Sequence, residues 1–356
     1  LASSTASQLL LTDARDTTVG NSWNFRAVGG NLYIATSSAT TFATATNPML
    51  SLTATGLSIA TGTTFQIGEV GILTRASTTG AIIGGSIGGN ARGGQALDIQ
   101  SSRSAATQVA SGDNSVAIGW GSTVSSLNGI STGISNSVSN GDNVAFGRSN
   151  TVSSGSGGDA TAVGVSNTVS GYRGSVFGTQ SSAAGSHSTA IGAFSAATAG
   201  NYAVAFGSQN TASANYASAF GAGSPSGVSQ TATGVRSSAF GSRNNATAVG
   251  ASAFGYLNSA SGMYSLAFGF QNTSSASTSS AFGALNIASG TSSSAFGVLN
   301  LASATTSSAF GYLNTSSATS SSAFGFGNKA SATNTVAFGA STTASAVGAS
   351  AFGTFI

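Results

Sequence analysis

Ser279-Ser280-Ala281-Phe282-Gly283-Ala284-Leu285-Asn286-Ile287-Ala288-Ser289-Gly290-Thr291-Ser292 is followed at once by Ser293-Ser294-Ala295-Phe296-Gly297-Val298-Leu299-Asn300-Leu301-Ala302-Ser303-Ala304-Thr305-Thr306. The two stretches are one phrase of 14 residues, and its closing glycine returns at Gly241, Gly255, Gly269, Gly283, Gly297, Gly311, Gly325, Gly339 and Gly353 without a change of step. Helical solenoid repeats need roughly 30–47 residues, because each holds two or more helices. The density of Ser, Thr and Gly also opposes helix. Two short strands and two tight turns do fit, and Ser280-Ala281-Phe282-Gly283 alternates between faces as a strand does. The period therefore predicts an all-β chain coiled into a parallel β-roll or β-solenoid, one coil per repeat, each about 4.8 Å above the last.

Stacking places equivalent residues over one another. Phe240, Phe254, Phe268, Phe282, Phe296, Phe310, Phe324, Phe338 and Phe352 form one predicted ladder, and Asn244, Asn258, Asn272, Asn286, Asn300, Asn314 and Asn328 a second. Stacked amides hydrogen-bond along such a row; the plainer reading is that each Asn favours a turn, and the two readings are compatible. Stacking also explains the missing charge: after Asp159 the sequence has no Asp or Glu, and its cations are Arg173, Arg236, Arg243 and Lys329. Like charges about 5 Å apart repel by about 0.8 kcal/mol even in water, whereas Ser and Thr keep a column soluble without that cost.

A coil this short encloses little space, so small residues are expected inside: Ala281 and Gly283 from one strand, Ala288 and Gly290 from the other. Phe282 then points outward, and a row of outward Phe exceeds the few hundred Å² of apolar patch that a monomer usually exposes. Burial against sister chains in closed cyclic symmetry removes it. The competing reading turns Phe inward and gives a monomeric roll. The open ends of a roll are edge strands that need caps.

Composition sets the outer limits. The chain has 356 residues, of which 5% are charged, against a norm of about 25%. Cysteine is absent, so there is no disulfide framework. A net charge of +3 rests on very few groups and is no basic patch for nucleic acid. No apolar run of about 18 residues is present to span a bilayer, so no direct membrane insertion is expected of this segment. The chain opens at Leu1, which suits a processed or cut piece of something longer, or export by a route without a visible signal peptide.

Along the chain, residues 1–78 read as a β-rich N-terminal module. Trp23, Phe25 and Val28 alternate with polar residues, Gly29-Gly30-Asn31 makes a turn, and Leu32-Tyr33-Ile34 returns as a hairpin partner. Leu50 and Leu52, Leu57 and Ile59, Phe65 and Ile67 mark further short strands. Residues 79–106 are a glycine-dense connector, a linker or a collar where chains cross. A phosphate-cradling loop is disfavoured there, since no strand–helix context and no Lys follows; Ala96-Leu97-Asp98-Ile99 reads as one more strand. Repeats occupy 107–356, with Asp113-Asn114-Ser115-Val116-Ala117-Ile118-Gly119 as the first full phrase. Gly164, Gly207 and Gly241 arrive late, so extra residues near Ser154–Gly158 and around Pro225 should form outside loops. Ser154, Gly158, Pro225 and Arg236 are accordingly candidate ligand-loop residues, because solenoid ligands often use such irregularities. About 17 coils give a rod of about 80 Å.

Asn114-Ser115-Val116-Ala117-Ile118-Gly119, repeated in near-regular series over roughly 107–356, resembles the YadA-like head of trimeric autotransporter adhesins. The resemblance implies a left-handed parallel β-roll, association into a homotrimer, and a surface adhesin acting on host matrix proteins or on its own kind. Two departures are that Phe mostly replaces the aliphatic residue before the glycine, and that this segment has neither a membrane anchor nor a long heptad stalk. Trp23-Asn24-Phe25-Arg26 with Gly30-Asn31-Leu32-Tyr33 is similar, over a short stretch, to β segments of phage tail fibres.

Chemistry is sparsely provided for. His187 is the only histidine, and a triad needs a carboxylate to orient it; the nearest in sequence is Asp159, about two coils earlier, so His187 reads as a polar turn residue. Asp113, Asp142 and Asp159 precede successive phrases and would align in a column. A calcium site is the functional reading, but the Gly-Gly-x-Gly-x-Asp repeat of calcium β-rolls is missing, and turn-capping Asp is preferred. No catalytic, cofactor or metal site is expected. Three sequons, at Asn245, Asn272 and Asn314, follow from a Ser/Thr-rich repeat and need carry no glycan. Tyr256, Phe270 and Tyr312 would make an exposed aromatic stripe for sugars or proteins, or else cover a neighbouring coil or chain. The expectation is an extracellular, non-enzymatic trimeric fibre or adhesin that meets a host or neighbouring-cell protein or glycan; the alternatives are a virion tail fibre binding a host receptor and, in a different class, an ice-binding β-solenoid, disfavoured for want of a regular Thr-x-Thr column.

Overall fold

The computed structural model describes residues 89–155, 158–223 and 229–355, together with eight strands between Leu9 and Gly85. Pro48, the Gly29-Gly30 turn and Pro225 lie outside the described residues. The chain divides into two compact units, Leu1–Asn128 and Gly129–Ile356. All regular structure in both is β, with no helix among the described residues.

In the first unit, β1 (Leu9–Thr12), β2 (Ser22–Val28), β3 (Asn31–Ser37), β4 (Leu50–Thr53) and β5 (Gly56–Ile59) form one antiparallel sheet in that order. The Trp23/Tyr33 segments are the hairpin arms, with Val28 opposite Asn31. β6 (Thr64–Ile67), β7 (Val70–Arg75) and β8 (Ile82–Gly85) continue antiparallel. The direction then changes, because β9 (Leu97–Gln100) pairs parallel with both β8 and β10 (Val116–Trp120). Coiling thus starts one coil before the first full phrase. Asp98 stands in register with Ala117, so a buried carboxylate occupies a column that is mostly alanine further on. Its charge is met twice, by Arg92 Nε and by Arg103 Nη2, each 2.7 Å from Oδ2, while Gln100 Nε2 donates to Oδ1 at 2.9 Å.

The second unit is a parallel β-solenoid. Each coil has a long strand of five residues, such as Ser280–Ala284, and a short strand of two or three, such as Ile287–Ala288. Long strands pair in sequence order in one sheet and short strands in another: Phe282 faces Phe296 and Gly283 faces Gly297, while Ile287 faces Leu301. The late glycines do not disturb this register. Val144 pairs with Thr161, and Ser218 with Ser238, so the strands stay matched on either side of the additional residues.

Alanine fills the narrow space between the sheets. Ala281, Ala288, Ala295, Ala302 and Ala309 form one fully buried cluster. The outward Phe follows from strand alternation, since a residue next to a buried Ala must face away. One expectation is corrected: Gly283 does not face the interior beside Ala281 but is exposed. Its role is conformational. All seventeen phrase-closing glycines from Gly119 to Gly353 have φ between 114° and 149°, a region that L side chains rarely adopt. A Cβ on Gly283 would also sit 2.0 Å from the Gly297 carbonyl oxygen.

Candidate functional site

Each coil presents three columns of chemical interest: an interior amide ladder at one turn, a Phe ladder on the long sheet, and a row of side chains on the opposite, tip turn.

The amide ladder is built by the glycine. Asn286 is buried, and its Nδ2 donates to Phe282 O at 2.9 Å and to Gly297 O at 2.6 Å, with Asn272 Oδ1 also 3.1 Å away. Its own Oδ1 accepts from the backbone N and the Nδ2 of Asn300, both at 3.0 Å. The carbonyl of Gly297 approaches because Gly283 has no Cβ, and Asn286 captures that same carbonyl, which accounts for the Gly-x-x-Asn spacing. The predicted row from Asn244 to Asn328 is continuous, each backbone N bonding the previous Oδ1 at 3.0–3.1 Å. It extends upstream through Asn136, Asn150, Asn167 and Asn210, with Ser181, Ser195 and Gln230 standing in for Asn. Each Asn also serves its turn, bonding the Phe carbonyl four residues back, while the left-handed residue of that turn is the one before, Leu257, Leu285, Leu299 or Leu313, with φ of 56–58°. Two sequon asparagines, Asn272 and Asn314, are fully buried with their Nδ2 groups committed to the ladder, which leaves no room for a glycan in the folded roll.

The Phe ladder stacks ring on ring. From Phe220 to Phe324 successive centroids are 4.6–5.1 Å apart, matching the strand spacing. Toward the end it loosens: Phe324, Phe338 and Phe352 follow at 6.4 and 6.2 Å, tilted by about 40°. Phe338 and Phe352 are 54% and 61% exposed. Tyr256 and Phe270 stack at 5.6 Å, and Tyr312 with Phe326 at 5.4 Å; Ala284 and Val298 separate them, so the expected stripe is two pairs.

On the tip turn, His187 stacks on Tyr202 at 4.9 Å and Tyr202 on Tyr216 at 5.2 Å, while Tyr172 meets His187 edge-on at 5.5 Å. Arg173 lies over Tyr172 and Arg236 over Tyr216, at 5.1 and 6.0 Å. This row was not legible as a stripe, because its members differ in type and an insertion breaks the step between them; the signal available was that Tyr172, His187, Tyr202 and Tyr216 all lie just before a new phrase.

The other candidates fall out separately. Ser154 is buried, its hydroxyl donating to Asn143 Oδ1 at 2.7 Å and to Gly158 O at 3.3 Å; Arg236 is exposed. Asp142 and Asp159 share one register and Asp113 is one residue out of it, so the three make no column. Asp113 accepts from Gly94 N and Asp159 pairs with Arg173 at 3.4 Å. Among the described residues no group of three or more His, Asp or Glu is placed to hold a metal. His187 Nδ1 is 2.9 Å from Ser186 Oγ.

A parallel solenoid of 14-residue coils with a Gly-gated amide ladder defines a repeat protein of the β-roll class. The YadA head domain repeat (2 copies) matches residues 109–133, 170–195, 199–224, 232–258, 260–286, 288–314, 302–328, 316–342 and 330–355. The chain belongs to the YadA head family. The comparison with curated proteins gave no match. YadA head domains are parts of extracellular surface adhesins, a structural and not an enzymatic family. Among the described residues no helix is long and apolar enough to cross a membrane.

Proposed function

We propose that this chain is the head of a homotrimeric, non-enzymatic extracellular fibre that attaches one surface to another. The Phe ladder carries the reading. Its rings lie on the outer face of the long sheet, stacked for many coils, and form an apolar strip longer than a soluble monomer normally exposes. Beside it stand further outward apolar residues, Leu285, Leu299 and Leu313 at the turn and Ile287 on the short sheet, each 40–46% exposed. Three chains in cyclic symmetry cover such a strip along its whole length and leave no open edge. The residue class that would support catalysis is thin: one histidine, hydrogen-bonded to a serine.

The mass of the native particle tests this. Wild type is expected at three times the mass of the chain by light scattering. Phe296→Asp places an unpaired charge in the covered strip and is expected to shift the particle toward monomer. A monomeric wild type at micromolar concentration would refute the assembly.

A further inference from the structure

We infer that the tip-turn row Arg173–His187–Tyr202–Tyr216–Arg236, with Tyr172 beside it, is a binding stripe for an acidic polysaccharide. The inference deepens the adhesin reading, on which it rests, by giving the attachment its ligand class.

The repeat supplies its own controls. His187, Tyr202 and Tyr216 occupy the left-handed turn position before a long strand, with φ of 55°, 57° and 58°. Beyond Arg236 the position passes to Gly250, which ends the row, then to Tyr264, and in later coils to Thr278, Ser292, Thr306 and Ser320 at 54–57°. The backbone bond is the same as well, Tyr202 N to Ser186 O and Thr306 N to Thr291 O both being 2.8 Å. The coil therefore folds with a small hydroxyl residue there. The rings answer a need other than the coil's.

What they present is specific. The ring faces are taken up against one another, so the exposed parts are edges, phenol hydroxyls and guanidiniums. Tyr172, Tyr202 and Tyr216 are 37–53% exposed. Base stacking, which single-stranded nucleic acid uses on aromatic faces, is unavailable. A protein partner would seek a pocket for an apolar anchor, whereas these rings are spent on one another. A row of hydroxyl donors with a guanidinium at each end complements a linear chain of sugars carrying repeated negative charge. No acidic residue follows Asp159 in the sequence to oppose it; Asp159 itself engages Arg173 at the start of the row. The stripe sits on the turn before the long strand, away from the Asn corner, and its column is separate from the Phe ladder.

Binding of the whole chain to immobilised heparin, with dextran as the neutral probe, tests the stripe. Wild type is expected to bind heparin, more weakly as salt rises, and to ignore dextran. Tyr202→Ser with Tyr216→Ser is expected to weaken binding at least about tenfold, and Arg236→Ser by several-fold with a flatter salt dependence. Tyr312→Ser, an exposed tyrosine outside the row, is expected to bind as wild type. Absence of heparin binding by wild type, equal binding by the double variant, or an equal loss in Tyr312→Ser each overturns the proposal. Light scattering on the same samples separates the two readings: a monomer that loses heparin in the double variant ends the trimer and keeps the stripe, and a trimer indifferent to heparin does the reverse.

Discussion

Asn286 shows how much one side chain does in a coil whose apolar core is a pair of methyl groups. Burying a methyl-sized group contributes about 0.8 kcal/mol, so polar satisfaction weighs heavily. Asn286→Leu removes the donors to Phe282 O and Gly297 O and the acceptor for Asn300 N, at about 1–3 kcal/mol for each group left buried and unpaired. Faster amide exchange across residues 282–300, equivalent to a local loss of about 3 kcal/mol or more, is the expected result. Asn286→Ser should cost much less, because Ser181 already fills this position, donating to Gly192 O at 3.0 Å and accepting from Ser195 N at 3.1 Å. That asparagines align was readable from the period. That each one seizes the carbonyl admitted by a missing Cβ was not, because the glycine's φ is invisible in the letters, and the same letters gave Gly283 an interior place that it does not have.

At the level of elements, the instructive one is β9. Its sequence, Leu97-Asp98-Ile99-Gln100, carries no Ala-Phe-Gly, so its membership of the coil stack was hidden; only the pairing of Asp98 with Ala117 reveals it. The two guanidiniums and one carboxylate are held with side chains 5%, 5% and 0% exposed. Removing one member of such a buried group costs about 3–5 kcal/mol, since the remaining charge is stranded. Asp98→Asn keeps the shape and drops the charge. Amides of residues 90–111 are expected to exchange faster, while those of residues 239–353 hold their wild-type rates; equal exchange in both would mean that the carboxylate is dispensable. The short strands of residues 50–67 were legible from alternation alone, because period-two patterning survives even where no repeat does.

For the molecule as a whole, one rule repeated seventeen times makes the fold easy to read and the ligand hard to read. Column identity comes directly from spacing, so the roll and its Phe rows followed from Gly241 to Gly353 alone, whereas their outward direction rested on the small interior and an inward alternative stayed open. The tip-turn stripe breaks the pattern in residue type and step, and only coordinates showing Tyr202 over Tyr216 bring it together. The proposed assembly column and the proposed stripe are different columns of one coil, which is why Phe296→Asp and the Tyr202→Ser/Tyr216→Ser pair should separate mass from heparin binding.

In-register stacking of near-identical coils also makes length a free variable. Residue 280 opens one long strand and residue 294 the next, with Ser, Ala, Phe and Gly matched pair for pair. Excising residues 281–294 therefore rejoins every row with no new junction. The shortened chain should fold with an unchanged circular dichroism spectrum and nearly the wild-type melting temperature, and lose about 4.8 Å of reach. Recombination between neighbouring copies would then adjust how far such a head projects, like beads taken from a string, without redesigning what any bead does.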